Sequence, residues 1–243
     1  MLETIKCAKL QRNQVIKDIK KATVKEKFRG LPKVDANDCT NPDECRNVCP
    51  TNAIGEDLSI DLGKCIFCGE CERVCSSNSI EFTNFHKIGS TSRKNLLTKG
   101  TLDPIKTREL IKKTFGRSLK LRQVSAGGCN SCEMELNACS NANFDMGRFG
   151  IEFVASPRHA DGIVITGPIT KNMAKALEDT YLAMAEPKIV ILTGACAISG
   201  GIYQNSKELD REFLKKYKVD LYIPGCPAHP LTIINAIVEL IGK

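Results

Sequence analysis

Thirteen cysteines lie in this 243-residue chain, and most of them have the spacing of iron–sulfur ligands. In residues 65–75 four cysteines form the run C-x2-C-x2-C-x3-C, and the pair Cys49-Pro50 precedes that run. Such spacing binds the irons of [4Fe–4S] clusters, which transfer single electrons. The cysteines are clustered, so they favour reduced metal ligands over a disulfide framework. The sequence therefore predicts an electron-transfer protein.

Residues 34–85 contain a repeat of about twenty-six residues, and this repeat resembles the duplicated bacterial ferredoxin fold. In that arrangement the last cysteine of each half ligates the cluster of the other half. The second half is complete. We expect one [4Fe–4S] cluster there, held by the Cys49 set, which comprises Cys49, Cys65, Cys68 and Cys71.

The first half of the repeat is incomplete, because Pro42 stands where a ligand cysteine belongs. This leaves the Cys39 set, which comprises Cys39, Cys45 and Cys75. We expect this site to hold a third cluster, either a [3Fe–4S] cluster or a [4Fe–4S] cluster in which Asp43 supplies a carboxylate ligand. Cys7 is a more remote candidate, and an empty, vestigial site is the other alternative.

A further group, the Cys129 set, comprises Cys129, Cys132, Cys196 and Cys226. Each follows a short apolar segment that reads as a strand (119–124, 188–192 or 219–223). Because the carboxyl ends of parallel strands share one edge of a sheet, we expect these thiols to converge on one [4Fe–4S] cluster. Neighbouring glycines let the backbone approach a bulky ligand. A thioredoxin-type pair would leave Cys196 and Cys226 without a role. A structural zinc is not excluded by the spacing.

The pattern of apolar segments predicts four regions. Residues 1–33 read as a basic helical arm, with an amphipathic helix over 2–28. Residues 34–85 form an α+β ferredoxin-like module, and residues 86–118 a basic linker with a short helix over 104–115. Residues 119–243 alternate strands with helices (131–140, 172–184, 207–217, 230–241), which predicts an α/β flavodoxin-like domain with a parallel sheet.

Charge and composition exclude several functions. The formal net charge is +7, but thiolate-held clusters add negative charge, so nucleic-acid binding is not indicated. Gly-x-Gly-x-x-Gly and P-loop patterns are absent from the sequence, and we expect no nucleotide. The first residues lack the apolar segment of a secretory signal, and the longest apolar stretches are shorter than a bilayer span.

Five motifs carry a more specific resemblance. In order they are GCNSCEME (128–135), RFGIEF (148–153), SPRHADGIVITGPIT (156–170), EPKIVILTGACAISGGIY (186–203) and VDLYIPGCP (219–227). They resemble the small electron-transfer subunit shared by [NiFe] hydrogenases and respiratory complex I, over about half the chain. The spacing Cys129-x2-Cys132, together with His159, is most similar to the membrane-bound, energy-converting hydrogenases. This chain departs from the family pattern at Ala228-His229-Pro230, where Pro and often Arg are usual. We expect His229 to be a surface residue at a helix start.

This resemblance implies a function. The Cys129 set would hold the proximal cluster, facing the Ni–Fe centre of a separate large subunit. Electrons from reduced ferredoxin or a similar donor would enter at 34–85 for proton reduction to H2. Membrane subunits would hold the chain at the cytoplasmic side of the membrane. Glu133 stands in the first turn of a predicted helix, where the helix dipole alone favours an acid; the resemblance implies an alternative role for it in a proton path. Cys139 is predicted to be a packing residue.

Two alternatives remain open from the sequence. The chain could perform the same relay in a complex I-like or sulfur-reducing relative that lacks nickel. In a different class of protein, the cysteines would bind structural zinc and transfer no electrons.

Overall fold

The computed structural model describes residues 2–10, 14–25 and 27–243. The helices are α1 (Leu2–Leu10), α2 (Pro42–Val48), α3 (Glu70–Val74), α4 (Glu109–Phe115), α5 (Ser131–Ala138), α6 (Lys171–Leu182), α7 (Ala195–Ser199), α8 (Phe213–Lys216) and α9 (Pro230–Leu240). The strands are β1 (Pro32–Val34), β2 (Ile60–Asp61), β3 (Ile80–Phe82), β4 (Leu97–Thr98), β5 (Leu119–Ser125), β6 (Ile151–Phe153), β7 (Gly162–Thr166), β8 (Ile189–Thr193) and β9 (Leu221–Ile223). Short 3-10 turns lie at Lys94–Leu96, Met146–Phe149, Pro157–His159 and Gly201–Tyr203.

The second half of the chain forms a parallel sheet in the order β6–β5–β7–β8–β9. Strands β7 and β8 are buried along their whole length, as central strands covered on both faces must be. The order is that of flavodoxin-like sheets, in which the strand order reverses beside the first strand, here β5. The predicted α/β domain with a parallel sheet is confirmed.

Two apolar clusters cover the faces of this sheet. One contains α9, whose residues are buried on nearly every side, together with buried residues of α4 and α5. The other contains Ile163, Leu192 and Ile198 from the α/β part, and it continues into Leu62 and Leu96 of the cysteine-rich part. Both parts of the chain therefore contribute to one core.

In the first part of the chain β1 pairs with β3, and β2 of the cysteine-rich segment pairs with β4 of the residues that follow it; both pairs are antiparallel. The sequence repeat of the cysteine-rich segment is also a structural repeat. Asn52 and Asn78 each lie three residues after a cysteine and have positive φ angles of 49° and 53°. The next backbone N–H donates to that cysteine in both halves, from Ala53 to Cys49 Sγ at 3.2 Å and from Ser79 to Cys75 Sγ at 3.1 Å.

This segment is attached to the sheet by direct hydrogen bonds. Ser90 and Tyr222 of β9 exchange backbone bonds of 3.0 and 2.8 Å. The Gln204 side chain donates to the Thr51 carbonyl at 3.1 Å. These contacts fix the cysteine-rich segment beside the carboxyl end of the sheet.

The predicted helix over 2–28 is wrong in extent. Only α1 is helical there, and residues 11–13 and 26 lie outside the described part of the chain. Ile19 is 1% exposed, and Asn235 donates to its carbonyl at 3.2 Å. Residues 14–25 therefore pack irregularly on α9, and their β-branched side chains give little helix propensity to oppose this.

Two further helices are shorter than predicted, because tertiary contacts hold their first residues extended. Arg108 has ψ 133°, and α4 starts only after it rather than at Pro104. Leu209 forms an antiparallel bridge with Thr170, and only α8 remains helical within 207–217. Because the partners of these residues are distant in sequence, the local pattern could not predict where the two helices begin.

Candidate metal centres

The Cys129 set lies at the carboxyl edge of the parallel sheet, as expected. Cys129 and Cys132 follow β5 and enter α5, Cys196 lies in α7 after β8, and Cys226 follows β9. Burial raises the pKa of Cys132 to about 12, and the charges of Glu133, Cys226 and Cys196 contribute. Cys129 and Cys226 are exposed, so the set opens to the surface.

Glycine is required where this set converges. A Cβ atom on Gly194 would lie 2.6 Å from Cys132 Sγ, and the φ angle there is +91°. A Cβ on Gly201 would lie 2.8 Å from Cys196 Sγ. The main chain thus passes directly beside two sulfurs, and the backbone of Ala228 acts to lower the pKa of Cys132. This is the environment that iron–sulfur thiolates need, because N–H donors stabilise their charge.

Glu133 is buried beside this set, with 5% exposure. Its Oε1 accepts hydrogen bonds from Ser125 Oγ at 2.5 Å and from Thr166 Oγ1 at 2.6 Å. Its charge contributes to the raised pKa of Cys132. The carboxyl group is therefore fixed between β5, β7 and the cysteines rather than solvated at a helix start.

Arg211 is a site residue that the sequence did not reveal. Its guanidinium donates to the carbonyls of Pro168, Cys196, Ala197 and Ile198 at 3.0, 3.3, 2.8 and 2.9 Å. It thereby closes the carboxyl end of α7 and brings a positive charge near Cys196. No local motif signals this role, since all four partners are backbone atoms distant in sequence.

The Cys49 set surrounds a small cavity. Its other walls include the apolar side chains of Ile54, Ile60 and Phe82. Burial raises the pKa of Cys65 to about 12, and the charges of Cys71, Cys49 and Cys68 contribute. The Phe67 N–H donates to Cys65 Sγ at 3.3 Å. All four predicted residues are brought together here.

The Cys39 set lines a separate cavity, which also contains Asn41, Glu44 and Leu58. Burial raises the pKa of Cys45, and the charges of Cys39 and Cys75 contribute. Burial would also raise the pKa of Cys75, but hydrogen bonds from Ser77 and neighbouring N–H groups hold it below its usual value.

Asp43 is not brought into this cavity. It lies two residues before Cys45, which is roughly the opposite side of a helix. Its carboxylate is 3.2 Å from Arg46, and its side chain is 71% exposed. Cys7, in α1, is exposed and is not among the described residues that line the cavity.

The three cysteine sets form a series. Helix α2, which carries Cys45, packs against α3, which carries Cys71, so the Cys39 set lies beside the Cys49 set. Phe67, the neighbour of Cys68, lines one cavity together with Cys226, so the Cys49 set lies beside the Cys129 set.

Two residues outside these sets occupy structural positions. His229 caps α9: its Nδ1 accepts from the Leu231 N–H at 3.1 Å, and the ring contacts Phe28 and Phe144. It is half-buried, and burial lowers its pKa. Cys139 is fully buried against α9, as predicted for a packing residue.

The donor set fits iron–sulfur clusters. Thiols face two cavities and the open edge of the sheet, with backbone N–H groups directed at several sulfurs. Among the described residues, no group of three or more His, Cys, Asp or Glu side chains is arranged to hold a single metal ion. No helix in the described ranges is long and apolar enough to cross a membrane.

Comparison with known proteins supports this chemistry. Residues 129–240 match the family "NADH ubiquinone oxidoreductase, 20 Kd subunit", and residues 36–86 match an LdpA Fe–S cluster-binding domain. An uncharacterised protein of Methanocaldococcus jannaschii is 40% identical over 136 residues, 56% of this chain and 89% of its own.

Two further relatives are parts of complexes whose names are known. A Pyrococcus furiosus protein named as a membrane-bound hydrogenase subunit is 36% identical over 131 residues, 54% of this chain and 78% of its own. A chain in the structure of an archaeal membrane-bound sulfane sulfur reductase is 34% identical, covers 54% of this chain and 73% of its own, and has a TM-score of 0.47.

The matched family model lies on the part of the chain that carries the Cys129 set, and the LdpA match lies on the part that carries the other two sets. The relatives include proteins named as subunits of hydrogenase and NADH-quinone oxidoreductase. The chain belongs to the family of the 20 Kd subunit of NADH ubiquinone oxidoreductase, with an additional iron–sulfur cluster-binding domain before it.

Proposed function

We propose that this chain is the electron-transfer subunit of a ferredoxin-linked, energy-converting [NiFe] hydrogenase complex. The observation that carries the proposal is the series of three cysteine sets: α2 with Cys45 packs against α3 with Cys71, and Phe67, the neighbour of Cys68, lines one cavity with Cys226. Clusters bound at these sets supply one-electron transfer. We assign a [4Fe–4S] cluster to the Cys49 set, another to the Cys129 set, and a third cluster to the Cys39 set.

The two ends of the series have different roles in this proposal. The Cys39 set, in the acidic cysteine-rich segment, faces an external low-potential donor such as reduced ferredoxin. The Cys129 set, where Cys129 and Cys226 are exposed, faces a separate large subunit that carries the Ni–Fe centre. This chain contributes no catalytic acid, base or nucleophile to proton reduction. Its residues hold the clusters and fix their surroundings.

Glu133 is assigned a secondary role in proton movement at the interface with the large subunit. Its carboxylate is buried and fixed by two hydroxyl groups, and it lies beside the exposed thiol edge. Membrane subunits of the complex hold the chain at the cytoplasmic side and couple H2 formation to ion translocation. The relationship to a named hydrogenase subunit of Pyrococcus furiosus supports this assignment.

The relay is tested by removing its middle member. In the complex purified anaerobically through this subunit, Cys68→Ser should abolish H2 formation from reduced ferredoxin. It should leave H2 oxidation with a small dye, which can exchange electrons close to the large subunit. Cys7→Ser is the matched control, because Cys7 is exposed in α1. Full ferredoxin-driven activity in Cys68→Ser would contradict the proposed route.

A further inference from the structure

The cavity of the Cys39 set offers three thiols and a nearby carboxylate. Three cysteines alone hold the irons of a [3Fe–4S] cluster, and a fourth ligand is required to retain a fourth iron. Two acidic residues precede Cys45, and only one of them lines the cavity. That residue is Glu44, and Asp43 is not among the lining residues.

The geometry of α2 explains this difference. Consecutive residues of a helix are about 100° apart, so Asp43 lies on the side away from Cys45 and Glu44 at its flank. Asp43 is paired with Arg46 at 3.2 Å. Glu44 instead accepts a hydrogen bond from Asn41 Nδ2 at 3.0 Å through Oε1. Among the described residues, no other hydrogen bond or ion pair of the Glu44 carboxylate is found.

Asn41 also lines the cavity, which helps to hold the carboxylate there. An anionic carboxylate is a stronger ligand for iron than a neutral amide oxygen, and its charge balances the iron that a missing thiolate would otherwise hold. The other polar walls of the cavity include Ser77 and Ser79, which bond to Cys75 or to each other. Glu44 is therefore the lining residue best suited to complete the site.

We propose that Glu44, and not Asp43, is the fourth ligand of a [4Fe–4S] cluster at the Cys39 set. This inference rests on the proposed function only in assuming that a cluster is bound there. Glu44 coordinates the iron that Cys39, Cys45 and Cys75 do not reach. The exposed position of Glu44 makes the site able to exchange this iron more readily than the sites with four cysteines.

The test compares Glu44→Gln with Asp43→Asn in the full chain, isolated anaerobically and loaded with iron and sulfide. Both changes replace a carboxylate with an amide of the same shape at an exposed position, so folding should be little affected. Gln can still accept the hydrogen bond from Asn41. Irons per chain are counted by native mass spectrometry, and paramagnetic resonance of the oxidised protein distinguishes a paramagnetic [3Fe–4S] cluster from a diamagnetic [4Fe–4S] cluster.

The wild-type chain and Asp43→Asn should each hold about twelve irons, whereas Glu44→Gln should hold about eleven and show the [3Fe–4S] signal. Glu44→Cys should restore the fourth iron. The proposal is overturned if Glu44→Gln keeps every iron, if Asp43→Asn loses one, or if the wild-type chain already shows the [3Fe–4S] signal. A wild-type chain with only about eight irons would instead refute the third cluster itself.

Discussion

At the scale of single residues, burial keeps the thiols of Cys65, Cys71 and Cys132 protonated before metal is bound. It raises the pKa of Cys65, Cys71 and Cys132 to about 12. Cluster ligands must be thiolates, so loading these sites releases protons. Assembly is therefore favoured by the N–H groups that face the sulfurs, since they stabilise the charge that burial opposes.

His86 should make the stability of the protein depend on pH. It is 5% exposed, and burial, with smaller effects of Lys87 and His229, lowers its pKa from 6.5 to about 4. Between pH 6.5 and about pH 4 the unfolded chain binds a proton that the folded chain does not. The contribution of His86 to the free energy of unfolding is therefore present above pH 6.5 and is lost as the pH falls toward 4. Acidification from about pH 7 to about pH 5 should cost about 2 kcal/mol of unfolding free energy through this group.

The measurement is denaturant unfolding of the loaded protein across that pH range. The His86 ring lies 3.4 Å from Asn235 Nδ2 through its Nε2. His86→Gln should flatten the slope, because glutamine does not titrate and its side chain can also hydrogen-bond to Asn235. His159→Gln is the control, since His159 is exposed. Equal slopes for wild type and His86→Gln would show that other groups cause the pH dependence.

Arg211 should affect both stability and redox potential. Arg211→Met removes hydrogen bonds to four carbonyls and should lower the unfolding free energy by about 2–4 kcal/mol. It also removes a positive charge near Cys196, so the potential at the Cys129 set should become more negative. Arg211→Lys should restore the potential but only part of the stability, because lysine lacks the planar fork. A redox titration in which Arg211→Met matches wild type would exclude the electrostatic role.

At the scale of elements, the turn from β8 into α7 is the tightest part of the Cys129 set. Gly194→Ala places a methyl group 2.6 Å from Cys132 Sγ at a φ angle of +91°. This change should displace the sulfur and remove about four irons per chain. Gly147→Ala is the matched control, because the nearest atom to its new methyl group is 3.9 Å away. Iron analysis giving equal contents for both variants would contradict the assignment of Cys132 as a ligand.

Strands and helices differ in how well the sequence predicts them. The central strands β7 and β8 were predictable because their short runs of β-branched apolar residues, such as GIVIT, are typical of strands buried on both faces. The first residues of α4 and α8 were not predictable. Thr107 donates a hydrogen bond to the Glu239 carbonyl, and Leu209 pairs with Thr170, so residues distant in sequence determine where these helices begin. Local patterns contain no information on such partners.

The same distinction applies to the candidate sites. Cysteine spacing was enough to divide the thiols into three sets. Two of the sets come from the repeat in residues 34–85, and the cysteines of the third set come directly after predicted strands. The acidic residue beside the Cys39 set was not predictable from proximity in sequence. Asp43 lies two residues before Cys45 in α2, so it is on the side of the helix away from the cavity, whereas Glu44 lines the cavity. Arg211 was missed since its partners are backbone carbonyls.

At the scale of the whole molecule, the two cysteine-bearing parts share one core and one hydrogen-bonded edge. Ile60 and Leu62 belong to the same apolar cluster as Leu192 and Ile198, and Gln204 donates to the Thr51 carbonyl. The relative position of the two parts is therefore set by packing. Phe67, the neighbour of Cys68, and Cys226 line one cavity as a result.

The central claim is tested most directly by metal analysis of the complex, purified anaerobically through this subunit. Nickel, iron and zinc are measured per chain. We predict about one nickel, and iron above the roughly eleven or twelve expected of the three clusters in this chain alone. Iron without nickel would contradict the hydrogenase assignment and favour a complex I-like or sulfur-reducing relative. Zinc in place of iron would contradict the electron relay as a whole.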